Sequence, residues 1–484
     1  MEKLELEHRL AGEHQSLALP LRALVRQAPI TCGEEQSVRE AASTMHEHGI
    51  GSIVVVDADS RPVGIFTERD LVGVVAQGLD SRSVSELMTR AQHSLPAHAF
   101  AYEAAIMMIR NHIRHVLVTD EKELIGVISE RDIFSLQRLG LGELTTQIRL
   151  VGDVDNLAGI AAEIRKLTRL LVQQCVAPEQ LTLYISVLND RLCERVIEVV
   201  RKRHQWERVS WCWLGFGSEG RLEQTFSSDQ DNGIIFSAHD GAPPDEVRSR
   251  LLPFAREVNE ALDACGFPWC KGNVMASNPA LCLSAEEWRA KMSGWLMHWE
   301  PEALLEASIY FDFRALYGDL TLAASLRDWV TKNARAYPAF LRQMAENALR
   351  TQPALGTLRD FSTDDAPNAP HSIDLKLYGV RPFVDAARIF ALAQGLAQTS
   401  TVERLRMSKA GGRMSAPDVA AIVDAFLAIQ RLRLRHQASQ DVLDAQTANR
   451  IDPDGLNELD RTILKESFRL ARRLQRVLTV DYQL

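Results

Sequence analysis

Between Gly215 and Asp231 the chain reads GFGSEGRLEQTFSSDQD, with three glycines, a serine and an arginine ahead of two aspartates spaced i, i+2. Each residue type suits the handling of phosphate. Glycine lets a backbone approach a bulky anion closely, and the N–H groups at a helix start favour negative charge. Gly217 and Ser218 would form such a phosphate loop, and Arg221 stands where a planar fork of donors could grip a triphosphate. Alternate residues of a strand face one side. Asp229 and Asp231 can therefore hold Mg2+, which prefers carboxylates together with substrate phosphates. The combined chemistry is phosphoryl transfer. A lone D-x-D is also the composition of a solvated turn, and the Gly-Ser loop eleven residues upstream is what strengthens the pattern.

These residues need strands on either side. VSWCWLGF and NGIIFS are apolar runs that predict two strands around the polar, glycine-containing connection. A second reading of Gly215, Gly217 and Gly220 is the dinucleotide fingerprint G-x-G-x-x-G, with Asp240 at the distance of a ribose-binding acid. That reading needs a crossover helix of about ten residues or more after the glycines. Only RLEQTFS precedes the polar turn SDQDN, which argues against it.

Upstream lies an internal duplication. GIFTERDLVG from Gly64 and GVISERDIFS from Gly126 place Asp70 and Asp132 62 residues apart. Each copy reads helix, strand, turn, strand, helix, and two copies can bury the apolar faces that one would leave bare. Thr67 with Asp70, and Ser129 with Asp132, fit the S/T-x-x-D pattern of a helix cap. The same arrangement can bind a phosphate at the helix start and ribose hydroxyls on the carboxylate.

Residues 141–205 read as helices that would link the duplicated region to the glycine loop, and from about residue 335 the chain reads helix after helix. Lys376, Arg381, Arg388, Arg404, Arg433 and Arg435 in that last third could line an anionic surface or lie on solvated helix faces. Trp288, Trp295 and Trp299 read as packing anchors in preference to a base-stacking platform.

A length of 484 residues predicts roughly three domains. With 46% hydrophobic and 25% charged residues the composition is that of globular domains that bury cores. A net charge of -9 gives no bulk attraction to nucleic acid. No apolar run approaches the ~20 residues of a membrane span, and the N-terminus lacks a secretory h-region, so a cytoplasmic protein is expected. The seven cysteines lack paired C-x-x-C spacing. Cys265 and Cys270 could be half of a metal site, but no matching pair follows, and buried free thiols are the default.

The duplicated region, residues 24–140, resembles a tandem CBS-domain pair. That resemblance implies an adenosine ligand (AMP, ADP or ATP) at Thr67, Asp70, Ser129 and Asp132, and a homodimer formed through the pair. The segment G-S-E-G-R-x-E with S-D-Q-D-N, together with GNVMASNP and SIYFDFRALYGD, resembles the DUF294 nucleotidyltransferase group related to the protein-PII uridylyltransferases. It implies Asp312 as a third metal-site carboxylate on a strand beside Asp229 and Asp231; taken without that resemblance, Asp312-Phe-Arg314 reads equally as a partly buried ion pair. The residue between the first two aspartates, often apolar in that superfamily, is here Gln230. The final third resembles the substrate-binding helical domain of the same group.

The expected fold is multidomain α/β plus α. An N-terminal extension (1–23) precedes the tandem CBS α/β pair (24–140), a helical linker (141–205), a nucleotidyltransferase-like α/β domain (206–330) and a C-terminal all-α bundle (331–484). The expected function is a CBS-regulated, Mg2+-dependent transfer of an NMP from an NTP to an acceptor the sequence does not name, a protein among the candidates. The alternative is a non-catalytic nucleotide sensor in signal transduction.

Overall fold

A computed structural model of the chain describes residues 20–25, 28–59, 61–77, 82–90, 94–111, 113–121, 123–129, 141–173, 176–204, 209–238, 241–297, 308–356, 360–409, 412–440 and 447–484. These divide into two compact units, residues 1–145 and 146–484.

In the first unit each sequence repeat builds its own sheet. One has the order β1 (Thr31–Gly33), β2 (Ser52–Val56), β3 (Pro62–Thr67), β4 (Thr89–Arg90); the other has β5 (Ser94–Pro96), β6 (His115–Asp120), β7 (Glu123–Ser129). In both, a parallel first strand lies beside an antiparallel hairpin, β2 with β3 and β6 with β7. The helix Val38–His48 starts where Ser37 and Glu40 cap each other reciprocally and stops at Gly49, whose left-handed backbone an L side chain resists. Its Val38, Ala41 and Met45 meet Ile53, Val55 and Phe66 of the hairpin in one apolar cluster, as the helical and strand periods of these residues require.

The second unit is built on the sheet β10 (Cys282–Ser284), β9 (Asn232–Ala238), β8 (Val209–Gly215), β11 (Arg314–Gly318). β8 and β9 pair antiparallel with Gly215 opposite Asn232. A dinucleotide crossover would make them parallel, so the G-x-G-x-x-G reading is excluded. The helices Val154–Gln173 and Pro178–Arg201, expected as a linker, belong to this unit. The longer one packs on the helix Pro244–Ala264, on β11 and on the helix Ala416–Ala438. One apolar core runs from Leu214, Phe216 and Ile235 of the sheet region through Phe311 and Phe340 to Phe383, Phe426 and Phe468 of the C-terminal helices. That C-terminal region is helical, but it also carries a small sheet of β12 (Asp364–Ala366), β13 (Ala369–Asp374) and β14 (Arg450–Ile451), a departure from the all-α expectation. Among the described residues no helix is long and apolar enough to cross a membrane.

Candidate active site

The hairpin of β8 and β9 brings the glycine turn and the acidic pair to one end of the sheet. β8 runs out at Gly215, β9 begins at Asn232, and the Phe216 N–H donates to the Asp231 carbonyl at 2.8 Å. The turn Gly217–Gly220 therefore starts beside the aspartates. Gly217 has φ +54°, and a Cβ there would stand 3.3 Å from Asp231 Oδ2 and 3.0 Å from Ile309. A Cβ on Gly220 would fall 1.9 Å from the backbone oxygen of Asp312. Both positions need glycine because the turn is wedged between two acidic segments.

Gln230 has a structural task. Its Nε2 donates to the carbonyls of Asn259 at 2.9 Å and Phe267 at 2.8 Å, and its Oε1 accepts from Asn259 Nδ2 at 2.7 Å. Asn259 Nδ2 also donates to Asn232 Oδ1 at 3.0 Å, which takes the Ala276 N–H at 2.8 Å. All three side chains are buried and mutually satisfied, which is what a buried amide requires. Residues 230 and 232 thus turn inward to hold the segment, and the alternation leaves 229 and 231 for the site.

Asp229, Asp231 and Cys270 each offer a ligand atom within 4.8 Å of the others. The sequence offered Cys270 only as half of a metal site with Cys265, because nothing in its spacing ties it to the acids. It arrives on a loop pinned to the start of β9 by Gln230 N–H to Pro268 O and Asn232 N–H to Val274 O, both 3.0 Å. Burial, and then the Asp229 carboxylate, push the Asp231 carboxyl up to about 7, against the weaker pull of Lys376, the Cys270 thiol and Arg221. A site that raises a carboxyl in this way gains from a bound cation. Glu219, buried in the turn, is pushed up to about 8 by burial and by Asp190.

Asp312 does not join this group. It lies between the short helical turn Ser308–Phe311 and β11, not on a strand, and β8 separates β11 from β9. Its fully buried carboxylate accepts from Arg388 Nε (3.0 Å) and Nη2 (2.6 Å), Arg404 Nη1 (2.6 Å) and Arg221 Nη1 (2.7 Å). Burial pushes its carboxyl up, but the guanidiniums of Arg388, Arg404 and Arg221 outweigh this and hold it well below the ordinary carboxylate range. Three cations leave no electrostatic room for a metal ion at this carboxylate. Arg221 is likewise committed. Its Nε donates to Glu223 at 2.8 Å, and Glu223 Oε1 accepts the Thr401 N–H at 2.7 Å. The fork expected for a triphosphate instead ties the glycine turn to the C-terminal helices.

The six basic residues of the final third do not form one solvated surface. Arg388 and Arg404 are buried on Asp312, Arg381 pairs with Asp385, and Arg435 pairs with Asp460. Arg433 is buried against Asn449 and Gln430. Lys376 is exposed and near enough to act on Asp231. Trp288 is fully buried and donates to Ile234 O at 2.9 Å, a packing anchor. Trp299 and Asp240 lie outside the described residues.

In the first unit Asp70 Oδ2 accepts from Thr67 N–H at 2.9 Å and Thr67 Oγ1 at 2.8 Å. This is the helix-cap geometry. Ser129 ends β7, and Asp132 lies outside the described residues.

Family models match residues 21–77 and 84–138 as "CBS domain", residues 162–302 as "Putative nucleotidyltransferase DUF294", and residues 338–482 as "Putative nucleotidyltransferase substrate binding domain". The chain belongs to the CBS-domain and DUF294 families. In this DUF294 chain Asp229, Asp231 and Cys270 fall inside the transferase match, Asp312 falls between the two DUF294 matches, and Arg388 and Arg404 fall inside the second. Among curated relatives, the "Uncharacterized protein MK0525" of Methanopyrus kandleri is 35% identical over 118 residues, 24% of this chain and 60% of that protein. The DUF294 chain thus spans about 60% of the length of that relative. Hypoxic response protein 1 of Mycobacterium tuberculosis is 34% identical over 113 residues, 22% of this chain and 79% of that protein. Among solved structures, the CBS domain protein PAE2072 from Pyrobaculum aerophilum complexed with AMP is 30% identical. It covers 26% of this chain and 99% of that one, with a TM-score of 0.24.

Proposed function

We propose that this chain transfers a nucleoside monophosphate from an NTP to an acceptor hydroxyl, with release of pyrophosphate. The observation that carries the reading is the meeting of Asp229 and Asp231 with the Gly217–Ser218 turn at one end of the β8–β9 hairpin. The residues present fit a divalent cation, since a buried carboxylate lies beside a second one and its positive neighbours, Lys376 and Arg221, act only weakly on it. Asp229 and Asp231 would hold Mg2+, which when bound would neutralise charge on the substrate phosphates. Ser218 and the backbone of the turn would hold the terminal phosphates. The acceptor oxygen forms a bond to the α-phosphorus, the bond from that phosphorus to the bridging oxygen breaks, and the hydroxyl proton leaves to solvent. Arg221 contributes charge and positions the turn through Glu223 and Asp312.

The CBS pair would bind AMP, ADP or ATP through Thr67, Asp70, Ser129 and Asp132, form the frame of a homodimer, and regulate the transferase from the cytoplasm.

The commitment of Asp312 to three arginines favours a second reading, a nucleotide sensor that binds NTP without turning it over. One experiment separates the two. The purified protein is incubated with labelled ATP or UTP, Mg2+ and cell lysate. Label joined to an acceptor with pyrophosphate released, in wild type but not in the Asp229→Asn, Asp231→Asn variant, supports transfer. NTP binding by calorimetry without label transfer to any acceptor supports the sensor.

A further inference from the structure

The donors gathered at the acidic pair are not all oxygen. We propose that Cys270 Sγ is the third protein ligand of the cation at Asp229 and Asp231, and that this sulfur makes the site prefer a divalent transition ion over Mg2+. The proposal rests on reading the two aspartates as a cation site.

Four observations carry it. The three ligand atoms lie within 4.8 Å of one another, a spacing that a single ion bridges with small side-chain adjustment, given bonds of about 2.0–2.3 Å to oxygen and sulfur. Asp231 is only 8% exposed, so its carboxylate is largely withdrawn from solvent. Two carboxylates brought together in a buried place call for a counter-ion. The Gly217 turn also lies against the pair, since a Cβ there would stand 3.3 Å from Asp231 Oδ2.

The sulfur is also held in place. Its loop is pinned to the start of β9 at Pro268 and Val274. Asn273 in the left-handed region lets the Asn273 N–H bond back to Cys270 O at 2.9 Å. The Gly272 backbone packs close to the sulfur, since a Cβ there would stand 3.7 Å from Sγ. Carboxylates alone suit Mg2+, whereas a thiolate among them shifts preference toward softer ions such as Mn2+, Co2+ and Zn2+.

The test uses the full chain and Co2+ alone as the probe. Wild type should bind Co2+ with a thiolate-to-cobalt charge-transfer band in the near ultraviolet. The Cys270→Ser variant, with an unchanged melting curve, should lack the band and bind Co2+ at least tenfold more weakly, on the order of the losses seen when a metal site loses one contributor. Mg2+ affinity should change by less than about twofold between the two proteins, because Mg2+ draws little on sulfur. Co2+ binding of equal affinity in wild type and Cys270→Ser, without the band, overturns the sulfur ligand and leaves the aspartate site standing. Retention of the band in the Asp229→Asn, Asp231→Asn variant overturns both assignments, because the cobalt would then be bound elsewhere.

Discussion

Arg388 grips Asp312 edge-on, Nε to Oδ1 at 3.0 Å and Nη2 to Oδ2 at 2.6 Å, so a C-terminal helix is tied directly to the segment that leads into β11. Arg404 and Arg221 complete the cluster from two further segments. Removing the anion they share would leave three buried guanidiniums facing one another, with only Asp385 still on Arg388 and Glu223 still on Arg221. Breaking a buried pair from one side costs about 3–5 kcal/mol. Asp312→Asn is therefore expected to lower the unfolding free energy of the second unit, read from urea melts, by an amount of that order, with cation affinity at Asp229 and Asp231 nearly unchanged. A variant that melts like wild type but loses the cation would return Asp312 to the metal site.

Gly217 offers a finer probe. Alanine there meets both a positive φ and a carboxylate oxygen at 3.3 Å. A left-handed non-glycine residue costs about 1–3 kcal/mol. Gly217→Ala should cost stability in that range and weaken Mg2+ binding in calorimetry. Unchanged affinity would show that the turn and the acids do not share a site.

Glu219 gives the molecule a pH dependence with a definite sign. Its carboxyl is pushed from 4.5 up to about 8, so between those values the folded chain holds a proton that the unfolded chain has released. Stability from this group is fully present below ~4.5 and is lost as pH rises toward ~8, at no more than about 1.4 kcal/mol per unit. Glu219→Gln should flatten that decline in urea melts taken across the window. Parallel slopes in the two proteins would contradict it.

At the first unit, Asp70 caps its own helix through Thr67, and loss of the cap alone costs about 1 kcal/mol. If adenylates also bind there, the full chain should gain about 2.7 kcal/mol of stability at a hundredfold excess of AMP, ADP or ATP over its Kd. Asp70→Ala should abolish that gain beyond the cap loss. Equal thermal shifts in wild type and variant would leave Asp70 a cap only.

What the sequence made legible follows physical range. The hairpin of β8 and β9, the repeat hairpins and the acidic pair were readable because apolar runs and i, i+2 spacing are local signals. Cys270 was paired in sequence with Cys265 and set aside, because its meeting with Asp231 depends on a loop docking that no spacing rule encodes. Asp312 was placed on a metal by family resemblance, while its segment alone allowed an ion pair equally. Its true partners lie 91, 76 and 92 residues away, at Arg221, Arg388 and Arg404, and charge type without distance cannot distinguish a ligand from an ion-pair hub. The arginines of the final third read as surface residues because burial of a charge depends on such partners. The sheet of β12, β13 and β14 escaped because its strands are short and largely polar, and β14 lies far from the other two in sequence.

The amide network behind the acidic pair has an evolutionary consequence. Gln230 and Asn259 spend their donors and acceptors on each other, on the carbonyls of Asn259 and Phe267, on Asn232 Oδ1 and on the Ser277 N–H, so neither can be exchanged alone without orphaning its partner. In lineages that share this site the two positions should drift as a pair, with an apolar residue at 230 matched by an apolar residue at 259, while the aspartates on either side of 230 stay free to be selected for what they bind.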